Sequence, residues 1–128
     1  MIKNFEKETC PLSRYELDTL VPAVVRGLAG CIGRKRAVTN RHFIRTRMEG
    51  MQITESRLRK CINHIRTKGL IHGLMATSKG YYIAESRQEL EDYLLSLKGR
   101  EDALKELRRS IRKQMEKLFP SKQQAELA

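Results

Sequence analysis

A cluster of basic residues between Arg34 and His72 suggests the most specific chemistry in this sequence. This stretch contains eleven arginines and lysines but only two acidic residues, Glu49 and Glu55, so it carries +9 of the chain's net charge of +11. Charge concentrated on one short segment raises the local potential and attracts polyanions. The first hypothesis is therefore a nucleic-acid-binding module. The basic residues are Arg34, Lys35, Arg36, Arg41, Arg45, Arg47, Arg57, Arg59, Lys60, Arg66 and Lys68.

No pattern typical of an enzyme accompanies this cluster. The chain has only three aspartates, Asp18, Asp92 and Asp102, whereas a metal-dependent nuclease needs two or more acids converging on a metal. Cys61 and His64 are three residues apart, but zinc requires three or four convergent ligands. We therefore expect no catalytic residue, no metal site and no cofactor.

The length and composition limit the protein class. A chain of 128 residues with 40% apolar and 32% charged residues fits one globular domain rich in exposed helix. No apolar run is long enough to span a bilayer, and the N-terminus lacks the apolar core of a signal peptide. Three cysteines without a Cys-x-x-Cys pair do not suggest a disulfide framework. These features favour a cytoplasmic protein that does not bind a membrane.

The clearest helix signal lies inside the basic cluster. Thr54 can cap a helix, and Ile53 can pack on Leu58 as a hydrophobic staple. Gly69 is expected to end this helix after Lys68. Its apolar stripe consists of Leu58, Cys61, Ile62 and Ile65. A helical wheel then predicts an outward arc of Ser56, Arg59, Lys60, Asn63 and Thr67, with Arg57 and His64 on one flank and Arg66 on the other.

Other elements surround this helix. Thr39 or Asn40 can cap a helix over residues 41–48, and Gly50 suits the turn that follows it. Residues 37–38 could add a small strand, and β-like segments on either side of residues 77–80 predict a hairpin. An earlier apolar stripe predicts a helix that either kinks at Pro22 or begins near Asp18. That stripe comprises Leu17, Leu20, Val21, Val24, Val25, Leu28 and Ile32.

The C-terminal third has a helical pattern of its own. Ser86 and Glu89 form a capping box, Gly99 predicts a break or kink, and Pro120 ends the helix. Apolar residues recur every seven positions, which is compatible either with the domain core or with a self-association seam. We favour residues 90–97 as core and a dimer contact after them. The proposed dimer contact consists of Leu104, Leu107, Ile111, Met115 and Leu118.

Several of these segments together resemble winged helix-turn-helix DNA-binding domains, most closely small phage- or prophage-type proteins of that class. The resembling segments, within about residues 17–85, are 37–40, 53–60, 62–66 with 69–71, and 76–83. The resemblance implies a mainly α fold with a small β-hairpin wing, here extended by a long C-terminal helix. It divides the chain into an N-terminal arm (1–12), a winged helix-turn-helix domain (13–97), a helix extension for possible dimerisation (98–118) and a frayed tail (119–128).

The resemblance also implies that the helix from Thr54 to Lys68 lies in the DNA major groove as the recognition helix. Arginine and lysine can donate to guanine, and asparagine can pair with adenine. The candidate base-edge residues are Ser56, Arg57, Arg59, Lys60 and Asn63. The candidate DNA-backbone residues are Thr39, Asn40, Arg41, Arg45, Lys68, Ser78 and Lys79.

The expected function is sequence-specific binding of double-stranded DNA, as a regulator or replication-associated factor of a mobile element. The protein would be a DNA-associated homodimer, paired through its C-terminal helix and without a small-molecule ligand. The alternative is a protein-interaction or assembly module that uses the basic face and the C-terminal helix. Binding of RNA or single-stranded nucleic acid is a third reading.

Overall fold

The protein, described here as a computed structural model for residues 10–121, is mainly helical and contains one small antiparallel hairpin. The chain divides into two compact units between Glu89 and Leu90. The first unit contains a π-helical turn (Glu16–Leu20), α1 (Val21–Leu28), a 3₁₀ turn (Arg34–Arg36), α2 (Asn40–Arg47), α3 (Glu55–Lys68), β1 (Leu74–Thr77) and β2 (Gly80–Ile83). The last helix is α4 (Arg87–Leu118). Residues 1–9 and 122–128, which include most of the predicted arm and tail, lie outside the described residues.

The first helical segment begins earlier than the start near Asp18, which is one of the two alternatives predicted from Pro22. The Ser13 side chain accepts the Glu16 backbone N–H (3.2 Å), and the Ser13 backbone N–H donates to the Glu16 carboxylate (2.7 Å). This reciprocal pair is a capping box, and the π-helical turn then leads into α1, in which Pro22 occupies the first turn. A π turn inserts one residue into the helix and rotates the side chains before it. Leu17 is accordingly exposed, against prediction, whereas Glu16 is buried.

The two central helices begin at the predicted caps. The Thr39 hydroxyl accepts the His42 N–H (3.3 Å) and the Thr54 hydroxyl accepts the Arg57 N–H (3.1 Å), each at the start of a helix. Gly69 adopts a left-handed conformation (φ 67°) at the end of α3, as expected for a residue that stops a helix. The local sequence signals therefore position α2 and α3 correctly.

The hairpin connects to the helices through a short extended segment. β1 and β2 pair from Leu74 with Ile83 to Thr77 with Gly80. Val38 forms an antiparallel bridge to Tyr81, with N–H to carbonyl distances of 3.0 and 2.8 Å, so the small strand predicted at residues 37–38 is present as a single bridge. Ile32 forms a second bridge, to Ile83. The prediction that Ile32 belongs to the apolar stripe of the first helix is wrong, because α1 ends at Leu28 and the Ile32 side chain is exposed.

The core of the first unit lies between α1, α2, α3 and the hairpin. α3 contributes all four residues of its predicted apolar stripe, and α2 contributes the fully buried Phe43. Cys61 is one of these core residues, as its sequence context predicts. The remaining members include Leu20, Val24, Leu28, Met48, Leu74 and Tyr81.

α4 differs from the prediction at Gly99. It is continuous through this residue, where a break is predicted, because an isolated glycine costs a helix only about 1 kcal/mol, which its neighbours can offset. Its leucines at positions 90, 94 and 97 are 38%, 65% and 40% exposed. The helix ends at Leu118, just before Pro120, as predicted.

No helix among residues 10–121 is both long and apolar enough to cross a membrane.

Candidate nucleic-acid interface

The exposed side of α3 forms a continuous row of polar side chains. Glu55, Arg59, Asn63 and Thr67 follow one another at four-residue spacing and are all exposed, as is Lys68. This spacing places side chains one above another on one helix face. Ser56 and Arg66 adjoin the row and are half-buried. Three of the five predicted base-edge residues, Ser56, Arg59 and Asn63, therefore lie on or beside this row.

Lys60 does not belong to this row, and the prediction that its side chain faces outward is wrong. Its side chain is only 6% exposed, and its Nζ lies 2.9 Å from Glu16 Oε1 and 3.2 Å from Cys10 Sγ. A helical wheel places Lys60 outward because the wheel considers α3 alone. The π-helical turn and the segment before it cover that position, so the ammonium group is held inside the protein.

Arg57 is also held by contacts within the first unit. Its Nε lies 3.3 Å from Glu16 Oε2, its Nη1 donates to the Gln52 carbonyl at 2.9 Å, and its guanidinium lies 5.3 Å from the centre of the Tyr15 ring. A DNA base would have to compete with these three contacts. Arg57 thus positions α3 against the first helical segment. It is also half-buried, so we rank it below the exposed Arg59 as a base-edge candidate.

Glu16 is the common partner of both cations. Burial raises the pKa of its carboxyl, but hydrogen bonds from Ser13 and Lys60 outweigh this effect and lower the pKa from 4.5 to about 2. Burial likewise lowers the pKa of Lys60, and its hydrogen bond to Glu16 reverses this, so that the net pKa is raised. Both groups are therefore charged near neutral pH. One carboxylate therefore offsets the charge of one of the two cations that contact it.

The start of α2 is connected to the hairpin beside this row. The Tyr81 hydroxyl donates to Asn40 Oδ1 at 2.5 Å, so the side-chain oxygen of this predicted backbone-contact residue is already engaged. Burial raises the pKa of Tyr81, and the nearby charges of Arg59 and Arg66 oppose the increase. The two arginines thus lie within electrostatic range of the hairpin. Arg41 and Arg45, which are further backbone candidates, are exposed on α2.

The tip of the hairpin presents one cation on an ordered turn. The Thr77 hydroxyl accepts the Lys79 N–H (3.1 Å) and donates to the Gly80 carbonyl (3.0 Å). Ser78 and Lys79, both predicted backbone contacts, are exposed there. The tip is therefore held by its own hydrogen bonds while both predicted side chains remain accessible.

Sequence reasoning missed the residues that face Lys79. An open groove of about 990 Å³ lies between the 3₁₀ turn and the hairpin tip, lined by Arg34, Lys35, Arg36, Lys79, Glu85, Ile32 and Ala37. The basic run after Gly33 signalled a charged loop, but only the two bridges to β2 bring this loop next to the hairpin. Four cations and one acid make the groove a second surface suited to phosphate.

A smaller groove lies along the other side of α3. Its volume is about 310 Å³, and it is lined by Cys10, Pro11, Leu12, Lys60, Asn63, His64, Thr67 and Lys68. Asn63 therefore lies at the border between the exposed row and the N-terminal segment. Its amide can be approached from the row, whereas Lys60 beneath it cannot.

Among the described residues, His, Cys, Asp and Glu side chains form no group of three that could hold a metal ion. Comparisons of the chain with protein-family models, with curated proteins and with solved structures found no match.

Proposed function

We propose that the first unit binds double-stranded DNA with α3 lying in the major groove. The observation that carries this proposal is the exposed row on α3, in which Arg59 and Asn63 are adjacent on one face. These two residue types are suited to guanine and adenine edges, respectively. In this proposal the order of helix, short bridge, two helices and hairpin is that of a winged helix-turn-helix domain, with the hairpin as its wing.

The charge around the row supports a polyanionic partner. Arg41 and Arg45 on α2, Lys68 at the end of α3 and Lys79 on the hairpin are all exposed. Phosphate contacts of this kind fix the orientation of a protein on DNA, and base contacts then provide the sequence preference. The base-edge set that we propose is Ser56, Arg59 and Asn63, without Lys60 and with Arg57 as a positioning residue.

By its resemblance to small phage- or prophage-type proteins, the cellular role that we propose is regulation or replication of a mobile element. An assembly module that meets an acidic protein partner would use the same basic surface. Sequence preference for duplex DNA separates these two functions, because a charged surface that meets a protein has no reason to distinguish one duplex from another.

The test is selection from a random duplex pool, followed by affinity measurements on selected and scrambled duplexes across a salt series. We expect the selected duplexes to bind more tightly than the scrambled ones, and affinity to fall steeply with salt. Absence of duplex binding at low salt would refute the proposal. Equal or tighter binding of single strands or RNA would favour the third reading.

Two arginine variants on the same helix provide a matched comparison. Arg59→Ala should weaken binding by about 1–3 kcal/mol and relax the preference at one base position. Arg57→Ala should lower the thermal stability of the protein but retain the selected sequence, because its contacts are internal. Lys79→Ala should weaken all duplexes by a similar factor. If Arg57→Ala rather than Arg59→Ala changed the preferred sequence, our assignment of the reading residues would be wrong.

A further inference from the structure

α4 is a long helix whose large apolar side chains are exposed to solvent. It contains 32 residues, and none of them is buried. A helix of this kind obtains most of its stability from packing an apolar face. Its exposed apolar residues are Leu90, Leu94, Leu95, Leu97, Leu104, Leu107, Ile111, Met115 and Leu118, with exposures from 38% to 70%.

Five of these apolar residues are arranged symmetrically about Leu104. Leu97 and Ile111 lie seven residues before and after it, and Leu90 and Leu118 lie fourteen residues before and after it. A seven-residue repeat buries its seam against another helix. The spacing of these seam residues is the same on both sides of Leu104. The seam is therefore suited to pack against a second copy of the same helix that runs in the opposite direction.

The charges of α4 are divided at the same point. Residues 87–103 carry three basic and five acidic residues, and residues 104–118 carry six basic and two acidic residues. The first half is therefore −2 and the second half +4. Two i,i+4 pairs, Lys98 with Asp102 (3.5 Å) and Lys105 with Glu101 (3.3 Å), join neighbouring turns near the boundary. They leave this difference between the halves unchanged.

We propose that α4 pairs with α4 of a second copy in an antiparallel orientation centred near Leu104. The antiparallel pair places each −2 half beside a +4 half, whereas a parallel pair places the two +4 halves side by side. Like charges across an interface disfavour association, and opposite charges favour it. The inference concerns the second unit and does not depend on what the first unit binds.

The orientation determines how far apart equivalent residues lie. At a rise of 1.5 Å per residue, Leu90 and Leu118 are about 42 Å apart along the helix. In the antiparallel pair the two Leu90 residues are separated by about this distance, but they are neighbours in a parallel pair. Ser96 and Ser110 are both exposed, and each lies one residue before a seam position. They lie on opposite sides of Leu104, so the antiparallel pair brings Ser96 of one copy near Ser110 of the other. A parallel pair instead brings the two Ser96 residues together and the two Ser110 residues together.

The experiment uses the full chain with Cys10→Ser, since Cys31 and Cys61 are buried. Ser96→Cys and Ser110→Cys are introduced in separate proteins and treated with a short bis-maleimide cross-linker, alone and as a mixture. We expect the mixture to form a covalent dimer and each protein alone to form little. Cross-linking of each protein alone, without a mixed product, would show a parallel pair and overturn the proposal.

Light scattering of the unmodified chain provides an independent measurement. We expect a dimer, and a monomer across the micromolar range would overturn the proposal. Arg108→Glu, Arg112→Glu and Lys113→Glu together change the second half from +4 to −2, so that like charges face each other, and should weaken the dimer by about tenfold or more. Adding Glu91→Lys and Asp92→Lys changes the first half from −2 to +2 and should restore the dimer, because opposite charges again face each other. If the fivefold variant remains as weak as the triple variant while its helical circular dichroism is normal, charge does not determine the pairing.

Discussion

Replacing Glu16 by glutamine should be one of the most destabilising isosteric changes in the first unit. Its carboxylate is 2.9 Å from Lys60 and 3.3 Å from Arg57, and the side chains of Glu16 and Lys60 are 4% and 6% exposed. Glutamine retains the shape but removes the charge, so a buried ammonium group loses its counter-charge. Removing one partner of a buried ion pair typically costs about 3–5 kcal/mol.

The pKa of Glu16 predicts how this cost depends on pH. The folded-state pKa of Glu16 is about 2, and the ordinary pKa of a glutamate, which applies to the unfolded chain, is 4.5. Each tenfold difference in proton affinity corresponds to about 1.4 kcal/mol, so ionised Glu16 contributes about 3 kcal/mol. Because its folded pKa is lowered, this contribution is fully present above pH 4.5 and is lost as pH falls towards 2.

The assay is urea denaturation followed by circular dichroism at pH 7, 5, 4, 3 and 2 for the unmodified protein and Glu16→Gln. We expect a difference in unfolding free energy of at least about 3 kcal/mol at pH 7, decreasing towards pH 2 because Glu16 of the unmodified protein is then becoming neutral as well. The double variant Glu16→Gln with Lys60→Met is the control. It removes both charges and should recover much of the stability.

Three results would refute this reasoning. A difference below about 1 kcal/mol at pH 7 would show that water reaches the Lys60 ammonium group. A difference that stays constant from pH 7 to pH 2 would show that the titration of Glu16 does not provide the stabilisation. Failure of the double variant to recover stability would place the loss in hydrogen bonding of Glu16 to Ser13 rather than in the ion pair.

Three further predictions test local features. Gly80→Ala should lower the free energy of unfolding in urea by about 1–3 kcal/mol, because φ is 117° and the added methyl group would overlap a backbone carbonyl. Gly30→Ala is the control: its added methyl group meets no atom within 4 Å, so the free energy of unfolding should change by less than half as much. Gly99→Ala should raise the thermal stability of α4 by about 0.5–1 kcal/mol because its added methyl group also meets open space, and a decrease would indicate a required bend. At pH 8 Cys61 should react with Ellman's reagent far more slowly than the exposed Cys10, since burial raises the pKa of the Cys61 thiol to about 11; rapid reaction of Cys61 would show that α3 opens readily.

The elements of the first unit that could be predicted from the sequence are those with local signals. Thr39 and Thr54 each supply a hydroxyl to a backbone N–H three residues later, and Gly69 supplies a left-handed residue at a helix end. These interactions involve only a few consecutive residues, so the residue types and their spacing are sufficient to identify them. The same reasoning identifies the apolar stripe of α3, because one helix face must enter the core.

The first helical segment could have been predicted better. Ser13 and Glu16 have the spacing of a capping box, and this signal, rather than Pro22, identifies where the helical segment begins. The π-helical turn could not be predicted from the spacing of apolar residues. One inserted residue shifts the apolar stripe of the first helical segment at a single point, and the spacing on either side of that point stays helical. Glu16 was therefore assigned no role, and the buried partner of Lys60 was missed with it.

The error at Lys60 shows why total charge is a poor guide to a reading surface. Of the cations on α3, Lys60 and Arg57 are held by Glu16, a residue 41–44 positions earlier in the chain. These two cations determine where α3 sits relative to the first helical segment, and hence which of its faces remains exposed. Arg59 lies on that exposed face, whereas its neighbours at positions 57 and 60 are turned towards Glu16. If α3 reads DNA, its specificity then depends on a carboxylate that never contacts a base, so a conservative change at Glu16 should disturb both stability and the orientation of Arg59.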